Sequence, residues 1–104
     1  MNDDATEQIV HHRENSRYEL TVDGTVGAYA EYEIAGNTIV LTHTVTLPQM
    51  RGRGLAGKIV RRALDDARTS GRTVIPQCWY VAQYIDQHPE YTDLLSSPET
   101  RRPT

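Results

Sequence analysis

Residues 48–59, PQMRGRGLAGKI, lie between a run of β-branched residues and a helical pattern, and their glycines decide the fold. The stretch fits three phosphate-binding motifs at once. From Gly52 it reads G-x-G-x-x-G, the loop of a dinucleotide fold, and up to Lys58 it reads as most of a P-loop. From Gln49 it reads Q-x-x-G-x-G, a shorter loop. Only one of these backbones can form, so the rest of the chain must supply the context that selects it.

The composition is that of a single globular domain. At 104 residues, the chain would bury roughly 65% of its unfolded surface, which suffices for one modest core. Apolar residues make up 38% and charged residues 24%, as in ordinary globular proteins. We expect a flexible N-terminus over residues 1–8, one domain over residues 9–95 and a flexible tail over residues 96–104.

Charge is unevenly distributed along the chain. The net charge is −3, yet residues 51–72 contain seven basic and two acidic residues, an excess of +5. This local excess indicates an anionic ligand, although a solvated charged face of a helix explains about half of these charges. The acidic remainder of the chain argues against a nucleic-acid partner. The acidic N-terminus lacks the pattern of a signal peptide, and no apolar run is long enough to cross a membrane. With a lone cysteine, Cys78, these features predict a cytoplasmic protein without membrane contact.

Hydrophobic periodicity divides the chain into strands followed by helices. Alternating and β-branched residues predict four strands joined by short turns, over 9–12, 18–22, 26–34 and 38–47. Helical spacing from Leu55 predicts a helix that ends at Gly71, then a strand over 73–75, a helix over 79–88 and a helical turn through Leu95. The order β-β-β-β-α-β-α predicts an α+β (α/β) domain with a mixed, mostly antiparallel sheet, whose last strand is parallel to the fourth.

Two of the three loop motifs lack the partners they need. A dinucleotide fold requires an acidic residue at the end of the next strand, and this chain has Gln77 and Cys78 there. A P-loop requires Ser or Thr after its lysine to hold magnesium, and here Ile59 follows Lys58. The Q-x-x-G-x-G loop needs only a strand, a tight turn of backbone amides and a helix N-terminus, all of which are predicted. Taken alone, this motif is equally typical of a turn that binds nothing.

Four motifs carry a resemblance to a known family: HT at residues 43–44, P-x-x-R-G-x-G at residues 48–54, P-x-C at residues 76–78 and HPEY at residues 88–91. Over about residues 9–95 the chain resembles the GNAT superfamily of acetyl-CoA-dependent N-acetyltransferases. That superfamily has the loop Q/R-x-x-G-x-G/A between a strand and a long helix. More narrowly, the chain is similar to the small GNAT-like proteins of Yjdj type. The resemblance implies the GNAT fold in a minimal form.

The resemblance also implies a binding site for acetyl-CoA, or CoA, as co-substrate. Family members hold the CoA pyrophosphate with loop amides, a role that falls here to residues 51–56. The backbone of Val45 and Leu47 would hydrogen-bond the pantetheine, and Arg53 and Lys58 would meet the 3′-phosphate. The implied cofactor-binding residues are Val45, Leu47, Gln49, Arg51, Gly52, Arg53, Gly54, Leu55, Ala56 and Lys58.

Three side chains are candidates for the chemistry. Because histidines titrate near neutral pH, His43 can act as a base or proton relay, or it merely hydrogen-bonds on a sheet face. Cys78, a candidate catalytic residue by the resemblance, either accepts the acetyl group as a thiolate or lines the thioester pocket. Tyr84 lies at a spacing similar to that of the tyrosine proposed to protonate the CoA sulfur in larger GNAT enzymes, or it packs in the core. We expect no metal, because His11 and His12 point to opposite faces of a strand.

The predicted function is N-acetyl transfer from acetyl-CoA to an amine by direct attack. The chain departs from the family where Val45 replaces a glutamate of small relatives, and it has no room for the acceptor elements of larger enzymes. We therefore expect an open acceptor side. The amine, in a small molecule, a protein lysine or a protein N-terminus, stays unassigned, as does the oligomeric state. The alternatives are a non-catalytic acyl-CoA-binding or sensing module and, with less support, a nucleic-acid binder.

Overall fold

Five strands form one sheet that carries both helices on a single face in the computed structural model, which describes residues 6–95. The elements are β1 (Glu7–His12), β2 (Arg17–Val22), β3 (Thr25–Ala35), β4 (Thr38–Thr46), α1 (Leu55–Thr69), β5 (Thr73–Pro76) and α2 (Trp79–Gln87). Short 3₁₀ turns cover Arg13–Asn15, Pro48–Met50 and Pro89–Leu94. β1 begins two residues before the predicted start, and residues 1–5 and 96–104 of the predicted flexible ends lie outside the described residues.

The strands lie in the sheet in the order of the sequence, β1-β2-β3-β4-β5. The first four are antiparallel, and β5 is parallel to β4 because α1 carries the chain back before β5 pairs. Left-handed residues form both predicted hairpin turns: Asp23 and Gly24 have φ of 51° and 85°, and Gly36 has φ of 62°. The predicted element order and the mixed sheet of an α+β (α/β) domain are thus confirmed.

The core lies between the sheet and the apolar face of α1. Its buried helix residues follow the predicted spacing: Leu55, Ile59, Val60, Ala63, Leu64 and Ala67. α2 packs beside α1 through Val81 and Ile85. Gly71, at φ 71°, ends α1, and the Arg72 amide then caps the Ala67 carbonyl at 2.9 Å. None of the helices within residues 6–95 is long and apolar enough to cross a membrane.

A β-bulge in β4 sets the face of the sheet on which each of its side chains lies. Leu41 and His43 pair with consecutive residues of β3, so Thr42 is an extra residue in the ladder. One extra residue reverses the alternation of the side chains that follow it. Thr44, paired with the buried Ala30, therefore faces the helices, whereas His43 lies on the open face of the sheet.

Three rings, those of His11, Tyr18 and Tyr32, form an aromatic cluster near the C-terminus of α1. His11 stacks on Tyr18 with ring centroids 4.0 Å apart, and its Nε2 forms a 2.7 Å hydrogen bond with the Tyr32 hydroxyl. The Tyr18 hydroxyl donates to Asp66 of α1 at 2.9 Å. Burial, and then the nearby Arg13 guanidinium, lower the pKa of His11. The neutral ring is the form that can accept the bond from Tyr32.

We expect acid to destabilise the fold through His11. Its pKa in the folded chain lies below the ordinary value of 6.5, so in this range the unfolded chain binds more protons. The free energy of unfolding should therefore fall as the pH drops below about 6.5. Melting temperatures between about pH 7.5 and about pH 5.5 measure this effect, and His11→Gln should remove part of it. His12→Gln is the control, because His12 lies on the other face beside Glu19 (3.2 Å); equal pH dependence in both variants would contradict the assignment.

Candidate functional site

The glycine loop, residues 49–54, is built around two glycines in the left-handed conformation. Gly52 and Gly54 have φ of 86° and 71°, which residues with a side chain adopt only with strain. Gly54 is the N-cap of α1 and has no side-chain cap. Apart from the glycine and its chain neighbours, no atom of the described residues lies within 4 Å of the position that a Cβ would take at either glycine. The loop backbone is thus open to a ligand from solvent.

Six consecutive amide groups, those of residues 52–57, have no hydrogen-bond acceptor in the described part of the chain. Three belong to the glycine loop and three to the first turn of α1, where amides have no partner within the helix. The next amide, of Lys58, donates to the Gly54 carbonyl at 3.3 Å. The first turn contains no acidic residue, and Arg51 and Arg53 are exposed nearby. Free amides at the positive end of a helix attract an anion.

Beyond Leu41 the edge of β4 is free of its neighbouring strand. β5 pairs with β4 only over residues 38–41, and the Cys78 amide then donates to the Leu41 carbonyl at 2.9 Å. From there to the glycine loop, among the described residues, β4 is paired only on its β3 side. We call this opening the β4 gap. It leads from Cys78 to the free amides of the loop.

The orientation of the β4 backbone corrects the expectation for Leu47. Its amide donates to the Gly27 carbonyl of β3 at 2.9 Å, so this group points away from the β4 gap. Val45, two residues earlier, shares this orientation because backbone groups alternate along a strand. The backbone groups on the gap side are those of Thr44 and Thr46, which the sequence prediction did not include.

Cys78 lies at the closed end of the β4 gap. It is the N-cap of α2 and is half-buried, packed against the hydrophobic core. Its Sγ lies 3.7 Å from the hydroxyl of Thr44. The structure therefore places the thiol on the helix side of the sheet, beside the free strand edge.

His43 lies on the opposite face of β4 from Cys78. Its side chain is 68% exposed, and its Nδ1 lies 3.6 Å from Oε1 of Glu31 on β3. The extra residue Thr42 causes this separation, because it reverses the alternation between Leu41 and His43. The structure does not bring the His43 and Cys78 side chains together. It leaves the imidazole where a molecule on the open face can reach it.

Tyr84 lies on α2 against the start of α1. Its ring stacks on His88 with centroids 3.9 Å apart, and His88 Nδ1 bonds the Tyr84 carbonyl oxygen at 2.8 Å. A Cβ added at Gly57 would lie 3.4 Å from the Tyr80 hydroxyl and 3.7 Å from the Tyr84 ring, so this glycine permits close packing of the helices. Burial raises the pKa of Tyr84. Its phenol therefore keeps its proton at neutral pH.

The remaining predicted loop residues differ in what they offer a ligand. Lys58 forms an ion pair with Glu7 of β1, whereas Arg53 has no carboxylate partner among the described residues. The Leu55 side chain is buried in the core, so only its amide can serve. The side chain of Gln49 is exposed.

Gly27 on β3 is a residue that sequence reasoning missed. A Cβ there would lie 3.0 Å from Cδ1 of Leu55 and 3.1 Å from Cγ of Met50. The missing side chain thus lets the loop and the first turn of α1 pack closely on the sheet. An isolated glycine inside a strand pattern is the signal that could have identified it.

Comparisons with known proteins identify the family and the fold of this chain. The family described as GCN5-related N-acetyl-transferase matches residues 17–94, which include the glycine loop, both helices and every strand after β1. The chain belongs to this GNAT family. Among the proteins similar to it is Protein NATD1 of Gallus gallus, 31% identical over 84 residues that cover 79% of this chain and 76% of that protein. Protein NATD1 of Mus musculus is 30% identical over 84 residues with the same coverage.

Solved GNAT structures share the fold of this chain. A GCN5-like putative N-acetyltransferase from Staphylococcus aureus has a TM-score of 0.68 at 18% identity, over 85% of this chain and 86% of that one. The ribosomal-protein-S18-alanine N-acetyltransferase from Escherichia coli has a TM-score of 0.58 at 14% identity, over 84% of this chain and 54% of that one. The GNAT fold implied by the sequence motifs is confirmed. This chain spans about half the length of the Escherichia coli enzyme.

Proposed function

We propose that the protein binds acetyl-CoA between the glycine loop and the β4 gap and transfers its acetyl group to an amine. The observation that carries the proposal is the run of free amides at residues 52–57, which continues the unpaired edge of β4. Amides in this arrangement bind a pyrophosphate, and a strand edge pairs with the amide groups of an extended chain such as pantetheine. GNAT proteins in general use acetyl-CoA, and these residues fit it.

Backbone groups supply most of the binding in this proposal. Because glycines occupy positions 52 and 54, phosphate oxygens can approach the loop amides to hydrogen-bonding distance. Thr44 and Thr46, in place of Val45 and Leu47, offer backbone groups to the pantetheine. Arg53 meets the 3′-phosphate, and Lys58 contributes only when its ion pair with Glu7 opens.

The chemistry that we propose is direct transfer. The amine nitrogen bonds to the thioester carbonyl carbon while the C–S bond breaks, and the proton lost by the amine balances the proton gained by the thiolate. His43, on the open face, takes the proton from the acceptor amine. Tyr84, whose pKa is raised by burial, donates a proton to the leaving sulfur. Cys78 lines the β4 gap beside Thr44 and forms no bond to the acetyl group.

A non-catalytic acyl-CoA-binding or sensing module is the second candidate, and the exposure of His43 favours it. Its imidazole is 68% exposed on a face that no helix covers among residues 6–95. This face therefore offers an acceptor no enclosed pocket. Val45 also provides no carboxylate at the position where small relatives usually have glutamate.

Titration calorimetry with CoA and acetyl-CoA in moderate salt tests binding first. We expect saturable binding at one site per chain. The absence of saturable binding would contradict both candidate functions. An acceptor screen that follows the release of free thiol then separates them. Thiol release that depends on an added amine supports the enzyme, whereas binding without release supports the module.

We expect Tyr84→Phe to lower kcat about 100-fold while KM for acetyl-CoA stays near the wild-type value, because only the proton donor is lost. Cys78→Ala should retain most of the turnover. Tyr80→Phe is the matched control, since it removes the neighbouring hydroxyl at Gly57. Initial rates of thiol release across a pH series measure all three variants. A stable acetyl adduct on Cys78, detected by mass spectrometry, or an unimpaired Tyr84→Phe would overturn the assignment of these roles.

A further inference from the structure

A second concave site lies on the far side of α1 from α2. It is a cavity of about 560 Å³ between the C-terminal half of α1 and the strands β1 to β4. This volume is in the range of pockets that hold small organic molecules. Its lining includes the aromatic cluster, three arginines and Asp66. We call it the basic cavity.

The basic cavity contains more positive charge than its own carboxylate can balance. Arg13, Arg62 and Arg72 line it, against Asp66 alone. Asp66 already accepts from Arg62 Nε at 3.1 Å and from the Tyr18 hydroxyl at 2.9 Å. Among the described residues, Arg13 and Arg72 have no carboxylate partner, and Nη1 of Arg72 is buried without any acceptor. The guanidinium groups that line the cavity therefore leave an excess of positive charge, which attracts an anion.

Part of the wall of the basic cavity is apolar. The aromatic cluster forms one side, and the side chains of Ile34 and Ile39 line it from β3 and β4. Ile34 is 47% exposed and so lies toward solvent. A ligand that fills this space therefore combines a charged end with an apolar body.

We propose that the basic cavity binds an organic phosphate monoester, with the phosphate held by Arg72 and Arg13 and the apolar body packed against the aromatic cluster. A phosphate monoester carries a charge of about −1.5 to −2 at pH 7, which the two guanidinium groups without a carboxylate partner among the described residues can balance. Each guanidinium group can also donate two parallel hydrogen bonds to phosphate oxygens. The site is separate from the glycine loop. α1 begins at the loop, and its first cavity-lining residue, Arg62, lies about 10 Å along the helix axis from Leu55.

Amide NMR spectra of the isotope-labelled full chain, titrated with phenyl phosphate, test the proposal. We expect saturable shifts at Ser16, Ser70 and Arg72, which line the basic cavity, at concentrations that leave the amides of Gly52 and Gly54 unmoved. Benzoate has the same ring and one negative charge, so we expect it to bind about tenfold more weakly. Shifts confined to the glycine loop, or equal binding of benzoate, would contradict the assignment.

Arg72→Gln is expected to weaken the binding of phenyl phosphate about tenfold, because it removes a charge-assisted pair of hydrogen bonds. Arg61→Gln is the matched control, since Arg61 is an exposed arginine of α1 outside the cavity that is paired with Asp65. Melting curves show whether each variant is folded. If Arg72→Gln does not fold, Arg13→Gln replaces it. Wild-type affinity in a folded cavity variant would overturn the proposal.

Discussion

Replacing Gly52 and Gly54 together with alanine is expected to lower the affinity for CoA about 100-fold, because each substitution costs the phosphate about one charge-assisted hydrogen bond. Both residues have positive φ, and an added Cβ would meet no atom of the described residues within 4 Å apart from those of the chain neighbours. In the proposed complex with CoA, a Cβ would lie where the phosphate approaches. It would also shift the loop amides, since alanine avoids the left-handed region by about 1–2 kcal/mol.

The hairpin turns provide a matched control for this strain. Gly24 and Gly36 have φ of 85° and 62°, close to 86° and 71° at Gly52 and Gly54, and an added Cβ meets no atom of the described residues at any of the four. The double variant Gly24→Ala/Gly36→Ala should therefore lose a similar free energy of unfolding and keep its CoA affinity. Calorimetric titration and thermal melting of both variants measure the two effects separately. Equal CoA affinity in the two double variants would show that CoA does not bind at the loop.

Ile59→Ala is expected to lower the free energy of unfolding by about 3 kcal/mol. Ile59 is 0% exposed on the face of α1 that packs against the sheet, so truncation removes buried apolar surface and leaves a cavity. Domains of this kind are stable by only about 5–15 kcal/mol. The loss is therefore a large fraction of the total.

Ile34→Ala makes the same chemical change at a position that is 47% exposed. We expect it to cost less than about 1 kcal/mol, because little buried surface is lost. Urea unfolding curves of the two variants and the wild type measure the difference. If Ile34→Ala destabilises the protein as much as Ile59→Ala, the core does not lie where the structure places it.

Element order was predictable because the sequence contains strong local signals. Turn residues such as Asp23-Gly24 and Gly36 separate alternating strands, and the change to helical spacing at Leu55 marks the start of α1. The differences in bounds are one or two residues; the largest is at β1, which begins at Glu7 and not at Ile9. They fall at element ends, where burial no longer distinguishes one residue from the next.

The loop was predictable for the same reason, whereas the orientation of the backbone groups in the strand before it was not. Gly52 and Gly54 adopt backbone conformations that their own lack of a side chain permits. Which backbone groups of β4 face the gap depends on pairing with β3 and on the bulge at Thr42. The prediction therefore named Val45 and Leu47 as backbone partners where the structure presents Thr44 and Thr46. A bulge has a weak local signal, because any residue can be the extra one.

By itself the sequence determined the order of the elements, the core face of α1 and the glycine loop, since each depends on residues that are neighbours along the chain. Only the tertiary structure decided that His43 and Cys78 lie on opposite faces of β4, because one unpaired residue reverses every side chain after it. It also brought Arg13, Arg62 and Arg72 around one cavity. The positions of these arginines in the sequence do not predict that they line one cavity, because the cavity forms only when α1 packs across four strands.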